Sequence, residues 1–135
     1  MNTSFKDLKN KNIIITGGNG FFGKQLTNAF LGQGSRVFVL DIKKQKLKNR
    51  LTFFKADMTK PNQCKLLVQK IIKMYGRLDI LVCNVGNGNS KNAGKETIDD
   101  WQNMFEINFL SAINIINHSK KYLIKSKGTI MCISS

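Results

Sequence analysis

A doubly wound α/β fold on a parallel sheet is what this 135-residue chain predicts, and three observations predict it. Short apolar, β-branched runs alternate with segments of helical periodicity from one end to the other. The runs are apolar on both faces, as strands covered by helices on both sides must be. Glycines and polar residues gather just after the runs, where such sheets hold their ligands.

The elements follow in order. "NIIIT" (12 to 16) is a buried strand. "FGKQLTNAFLGQG" follows with Phe22, Leu26, Ala29 and Phe30 at helical spacing, and Gly32 and Gly34 stop it. "RVFVLD" (36 to 41) is the second strand, and "RLTFFKAD" (50 to 57) the third after a short connection. The next helix is capped by Thr59, has Pro61 in its first turn and ends at Gly76. Cys64, Leu67, Val68, Ile71 and Ile72 form its apolar face. "LDILVCNVG" (78 to 86) is the fourth strand, followed by the loop "GNGNSKNAGKE". A long helix from about Ile98 to Lys125 carries the stripe Ile98, Trp101, Phe105, Ala112, Ile116 and Tyr122 or Leu123. "GTIMCIS" is the fifth strand, expected to be buried. No repeat or linker divides the chain, so 1–135 is expected to be one domain.

Composition narrows the classes. The apolar fraction of 41% suits a globular core rather than a disordered chain. No apolar run is long enough to cross a bilayer, and the polar start "MNTSFKDLKNK" does not read as a secretory signal. Cys64, Cys83 and Cys132 show no metal-site spacing and are expected to be reduced, buried thiols of a cytoplasmic protein. The net charge of +14 raises a nucleic-acid partner, but 19 of the 22 basic residues are lysines scattered along the chain. The charge reads instead as composition bias and solvated faces; neither nucleic acid nor membrane is expected as a partner.

The strand ends carry the chemistry. "TGGNGFFG" (16 to 23) places Gly17, Gly20 and Gly23 between a strand and a helix. Gly17 permits a tight turn, Gly20 lets backbone approach a pyrophosphate, and Gly23 lets the helix pack close to the strand. Asp41 lies eighteen residues past Gly23 at the end of the second strand. An acid there accepts from both ribose hydroxyls and repels a 2′-phosphate, which favours NAD over NADP. Asp57 either holds the adenine amino group or caps the following helix. Asn84 and Gly86 in "CNVG" either put polar groups and open backbone next to a cofactor or form a simple turn. Asn108 places an amide inside the apolar stripe, where it must find partners. It either bonds a neighbouring strand or loop, or holds a water or bends the helix at a site.

Joined in this order, the segments resemble the short-chain dehydrogenase/reductases from end to end. "TGGNGFFG" is similar to their cofactor loop, and "LDILVCNVG" to their "DILVNNAG" segment. "FEINFLSA" is similar to the segment carrying their catalytic Asn, and "GTIMCISS" to the strand that delivers their catalytic Ser. The resemblance implies a Rossmann-like domain lined toward NAD by Gly17, Asn19, Gly20, Phe22, Gly23, Asp41, Asp57, Met58, Asn84 and Gly86. It implies Asn108 and Ser135 as catalytic residues, Asn108 helping to hold a water in a proton relay. It implies hydride exchange with a carbonyl or alcohol substrate, and a homo-oligomeric parent protein. The glycine spacing TGxxGxxG departs from the ordinary branch and matches the extended epimerase/dehydratase branch, while the fourth and fifth strands match the ordinary one. A sugar-nucleotide epimerase and a non-catalytic dinucleotide-binding module are therefore the alternatives. No tyrosine has a lysine four places on: Asp79 follows Tyr75 and Ser126 follows Tyr122. The expectation is an N-terminal part of a longer enzyme, halted at Ser135 after the fifth strand, inactive alone and exposing a bare sheet edge.

Overall fold

The computed structural model describes residues 5–44, 50–88 and 94–134. Its centre is a five-stranded parallel sheet in the order β3-β2-β1-β4-β5. The strands are β1 (Asn12–Thr16), β2 (Arg36–Asp41), β3 (Leu51–Lys55), β4 (Ile80–Cys83) and β5 (Thr129–Cys132). Every residue of β1 is buried, because β1 stands between β2 and β4 with helices above and below. Alternate residues of each inner strand face opposite ways. Ile13, Ile15, Val37, Val39 and Val82 therefore join one core, and Ile14, Phe38, Leu40 and Leu81 the other.

Helix α1 (Phe21–Gly32) covers the first core through Leu26, Phe30 and Leu31. Helix α2 (Pro61–Tyr75) covers the second through Cys64, Val68 and Ile71. Pro61 begins α2 and Gly76, at φ +77°, ends it, as expected. Thr59 is not its cap. The N-cap is Lys60 without a side-chain bond, while the Thr59 hydroxyl donates to Asp57 Oδ1 at 2.7 Å.

The long helix is broken into three. A capping box between Thr97 and Asp100 starts α3 (Ile98–Phe105), a π-turn occupies Glu106–Leu110, and α4 (Ser111–Ser126) follows. The π-turn adds a residue, so the faces on either side of it fall out of step. Ile98, Trp101 and Phe105, expected in the buried stripe, are 72%, 64% and 54% exposed. The buried face of α4 is Ser111, Ile115, Ser119 and Leu123, with Ala112 and Ile116 partly buried beside it.

Two further expectations are corrected. All four residues of β5 are exposed rather than buried, because among the described residues β5 pairs only with β4 and forms an edge. Cys132 is exposed for the same reason, while Cys64 and Cys83 are buried. No helix among the described residues is long and apolar enough to cross a membrane.

Candidate functional site

The strand order reverses at β1: β2 lies on one side and β4 on the other. The turns leaving β1 and β4 therefore diverge and open a crevice at the carboxyl ends of the strands. A cleft of about 760 Å³ lies there. Gly17, Asn19, Gly20, Phe22, Asp41, Asp57, Met58, Asn84 and Gly86 all line it.

The glycine turn forms one wall. Gly17 has φ +62°, a left-handed conformation that side chains disfavour. A Cβ on Gly17 would stand 3.0 Å from Asn84 O. Gly20 N donates to Gly17 O at 3.1 Å and closes the turn. Gly20 is the N-cap of α1 and, having no side chain, makes no cap bond of its own. The amide groups of the first turn thus lack the side-chain partner most helices supply, and they carry the positive end of the helix dipole. Gly23 does not line the cleft. It lies beneath the turn, where a Cβ would meet Gly17 O at 2.3 Å.

Asp41 is 9% exposed at the end of β2. Its Oδ2 accepts from Asn19 N at 2.9 Å and its Oδ1 from Lys43 N at 2.9 Å. Asn19 Nδ2 donates onward to the carbonyls of Lys43 and Lys44 at 3.3 and 3.1 Å. Glycine turn and acidic loop are thus tied at three points, with two lysines beside the carboxylate.

Asp57 closes a local turn: its Oδ1 accepts from Thr59 N and Thr59 Oγ1. It also lines the cleft, so helix entry and site wall are one feature. Met58 is buried, and its carbonyl accepts from Asn114 Nδ2 at 3.0 Å. Asn84 fastens β4 to the glycine turn, with its N–H on Thr16 Oγ1 and its Nδ2 on Gly17 O, both at 3.0 Å.

Asn108 is not buried, as its place in the stripe had suggested, but exposed within the π-turn. Its Oδ1 accepts from Asn87 N at 2.7 Å and its Nδ2 donates to Asn87 O at 3.1 Å. Asn108 thus bonds a loop, as one reading had it, from within a distorted stretch of helix, and its side chain does not line the cleft. Gly86 permits the approach, since a Cβ there would stand 3.3 Å from Asn108 Oδ1. Ser135 lies outside the described residues, as does part of the loop after β4.

Sequence reasoning missed Asn103, Glu106 and Ile107, which also line the cleft, as does Asn87 of the loop after β4. Asn103, Glu106 and Ile107 stand at i, i+3 and i+4, the spacing that puts them on one helical face. That signal was present in the sequence. Among the described residues no cluster of acids, histidines and cysteines could hold a metal ion.

Residues 11–135 match the family model described as short chain dehydrogenase. A "Dehydrogenase/reductase SDR family protein 7-like" of Dictyostelium discoideum is 30% identical across 94% of this chain and 46% of its own. The 3-oxoacyl-acyl-carrier-protein reductase of Thermotoga maritima is 28% identical across 95% of this chain and 56% of its own. The ligand-free aldohexose dehydrogenase of Thermoplasma acidophilum superposes with a TM-score of 0.92 at 28% identity, covering 98% of this chain and 52% of that one. The chain thus spans about half the length of the relatives it matches.

Proposed function

The chain belongs to the short chain dehydrogenase family, and from that premise we propose that it is the dinucleotide-binding part of an NAD-dependent oxidoreductase. The whole protein would exchange hydride with a small carbonyl or alcohol. The observation that carries the reading is the pairing of Asp41 with the uncapped start of α1 across one cleft.

The residues present fit the cofactor. Gly17 and Gly20 leave the backbone bare, and Gly20 would have nothing nearer than Gly17 O at 3.3 Å to meet an added carbon. The amides that open α1 would hold the pyrophosphate. Asp41 would accept from the ribose hydroxyls, and its charge disfavours a 2′-phosphate. Asp57 and Met58 would bound the adenine, and Asn84 and Gly86 the nicotinamide end, with Asn19, Phe22 and Gly23 shaping the turn. Nicotinamide, when bound, supplies the hydride acceptor or donor.

The chain's own residues do the holding. Asn84 keeps the glycine turn against β4. Asn108 pins the Asn87 backbone at the cleft rim and stands ready, in this proposal, to order a water in a proton relay. Ser135 would donate to the substrate oxygen. No tyrosine in 1–135 has a lysine four places on. The proposal therefore gives these residues cofactor binding and gives hydride exchange to the whole protein. The buried thiols of Cys64 and Cys83 suit a reducing compartment, which supports the cytoplasm. The exposed Trp101 and Phe105 support a homo-oligomeric parent.

Calorimetric titration tests this reading. NAD should bind more tightly than NADP, and Asp41→Ala should weaken NAD by at least about tenfold, the low end for losing hydrogen bonds to a charged group. An unchanged Kd in Asp41→Ala rejects the assignment.

A further inference from the structure

Two thiols stand side by side at the end of the sheet that carries the cleft. Cys83 ends β4, Cys132 ends β5, and the register makes them direct partners on parallel strands. Register partners point to the same face. Cys83 is buried against the core, while Cys132 is exposed at the edge. Neither has a part in the cofactor site. Adjacent strands lie about 4.8 Å apart. That separation falls inside the Cα window for disulfides, about 4.4–6.8 Å, but exceeds the Cβ separation of about 3.8 Å that such bonds prefer.

We propose that Cys83 and Cys132 are a redox-active dithiol, which a low-molecular-weight disulfide closes to a cross-strand disulfide that loosens the dinucleotide site. Cys132, the accessible thiol, attacks the oxidant and releases one thiolate. Cys83 then attacks the mixed disulfide and releases the second. Two S–H bonds break and one S–S bond forms in the protein. Two electrons pass to the oxidant, whose two thiolates take up the two protons. Burial, with Cys132 beside it, pushes the Cys83 thiol up to about 12. The second step is therefore slow near neutrality and accelerates as pH rises. The stretched geometry makes the bond easy to reduce again, as labile disulfides are.

The coupling to the cleft is short. Cys83 O accepts from Ile133 N at 3.0 Å, and the next residue, Asn84, fastens the glycine turn through Thr16 Oγ1 and Gly17 O. Drawing the ends of β4 and β5 together moves Asn84 off those two partners. The effect on binding rests on the NAD reading above; formation of the bond does not.

The test is treatment of the full 135-residue chain with oxidised glutathione, followed by peptide mapping and NAD titration. The expected result is a Cys83–Cys132 linked peptide, a Kd raised roughly tenfold, as loss of about one hydrogen bond would give, and recovery with dithiothreitol. Cys132→Ser should form no linked peptide and keep its Kd under oxidant; a Kd that still rises in this variant overturns the proposal. A glutathione adduct that persists on Cys132 overturns it too. A linked peptide with unchanged Kd overturns the coupling. If the reduced chain binds no NAD, the NAD reading has failed, and hydrogen exchange at the Asn84 amide decides the coupling instead: unchanged protection on oxidation overturns it.

Discussion

At Gly23 the fold tolerates no extra carbon. A Cβ would stand 2.3 Å from Gly17 O and 2.6 Å from Gly18 Cα, and both are backbone atoms that no rotamer change can move. Gly23→Ala must therefore lever α1 away from the turn, and urea unfolding should show a loss of about 2 kcal/mol, as overpacking does. Asn108 offers the converse, since its two bonds to Asn87 are exposed. Asn108→Ala should cost about 1 kcal/mol or less in stability, while hydrogen exchange at the Asn87 amide accelerates. The thiols set a pH limit. Burial pushes Cys64 up to about 11 and Cys83 up to about 12, against an ordinary value of 9.0. The unfolded chain therefore loses these protons first as pH rises, and ∂ΔG/∂pH is negative above pH 9. Urea midpoints should fall from about pH 9 toward 11, and Cys64→Val should flatten part of that fall. Asp41 and the glycines were legible because a turn without side chains and an acid at a strand end leave a mark in sequence. The way Asn19 is used was not, since bonds to the Lys43 and Lys44 carbonyls depend on where two distant loops meet.

Among the elements, strands β1, β2 and β4 announced themselves because burial on both faces demands unbroken apolar runs. The stretch from Ile98 to Ser126 misled for a physical reason. Its apolar residues do recur at helical spacing, but the π-turn shifts the phase, so no single stripe runs its length. What α4 buries instead includes Ser111 and Ser119, small residues that polarity alone would place outside. Ser119 has no exposure, and its Oγ has no hydrogen-bond partner among the described residues. Ser119→Ala removes an unsatisfied hydroxyl at almost no loss of packing. Thermal or urea unfolding should show a gain of about 1 kcal/mol. A loss of stability would mean that Oγ is bonded after all, as the Ser111 hydroxyl is to Ile107 O at 2.6 Å. Helix α1 hides a similar group, the Oγ1 of Thr27, which Val would replace in nearly the same shape.

On the scale of the whole molecule, two opposed properties meet. The chain carries a net charge of +14, which keeps copies apart in solution. It also presents Ile98, Trp101, Phe105 and Phe109 on one helical segment, with Phe105 and Phe109 stacked at 5.0 Å. Along β5 it presents Ile130 and Met131, each 40% exposed, on a strand paired on one side only among the described residues. An apolar edge strand offers a row of free backbone groups to another chain, and natural edges are commonly blunted by lysine. None of the four residues of β5 is charged. Repulsion among exposed charges is screened beyond about 10 Å at 0.1 M salt, whereas apolar association is not weakened by salt. Association of this chain should therefore rise with ionic strength, the reverse of what a charge-paired contact would do. Sedimentation velocity at low salt and at half-molar salt measures it. The 135-residue chain should shift from smaller to larger species as salt is added, and Met131→Lys should suppress the shift if the edge carries it. Should Met131→Lys associate as the parent does while Trp101→Lys does not, the contact lies on the aromatic face of α3. A chain that remains monomeric at both salt concentrations would show that neither surface is adhesive in water.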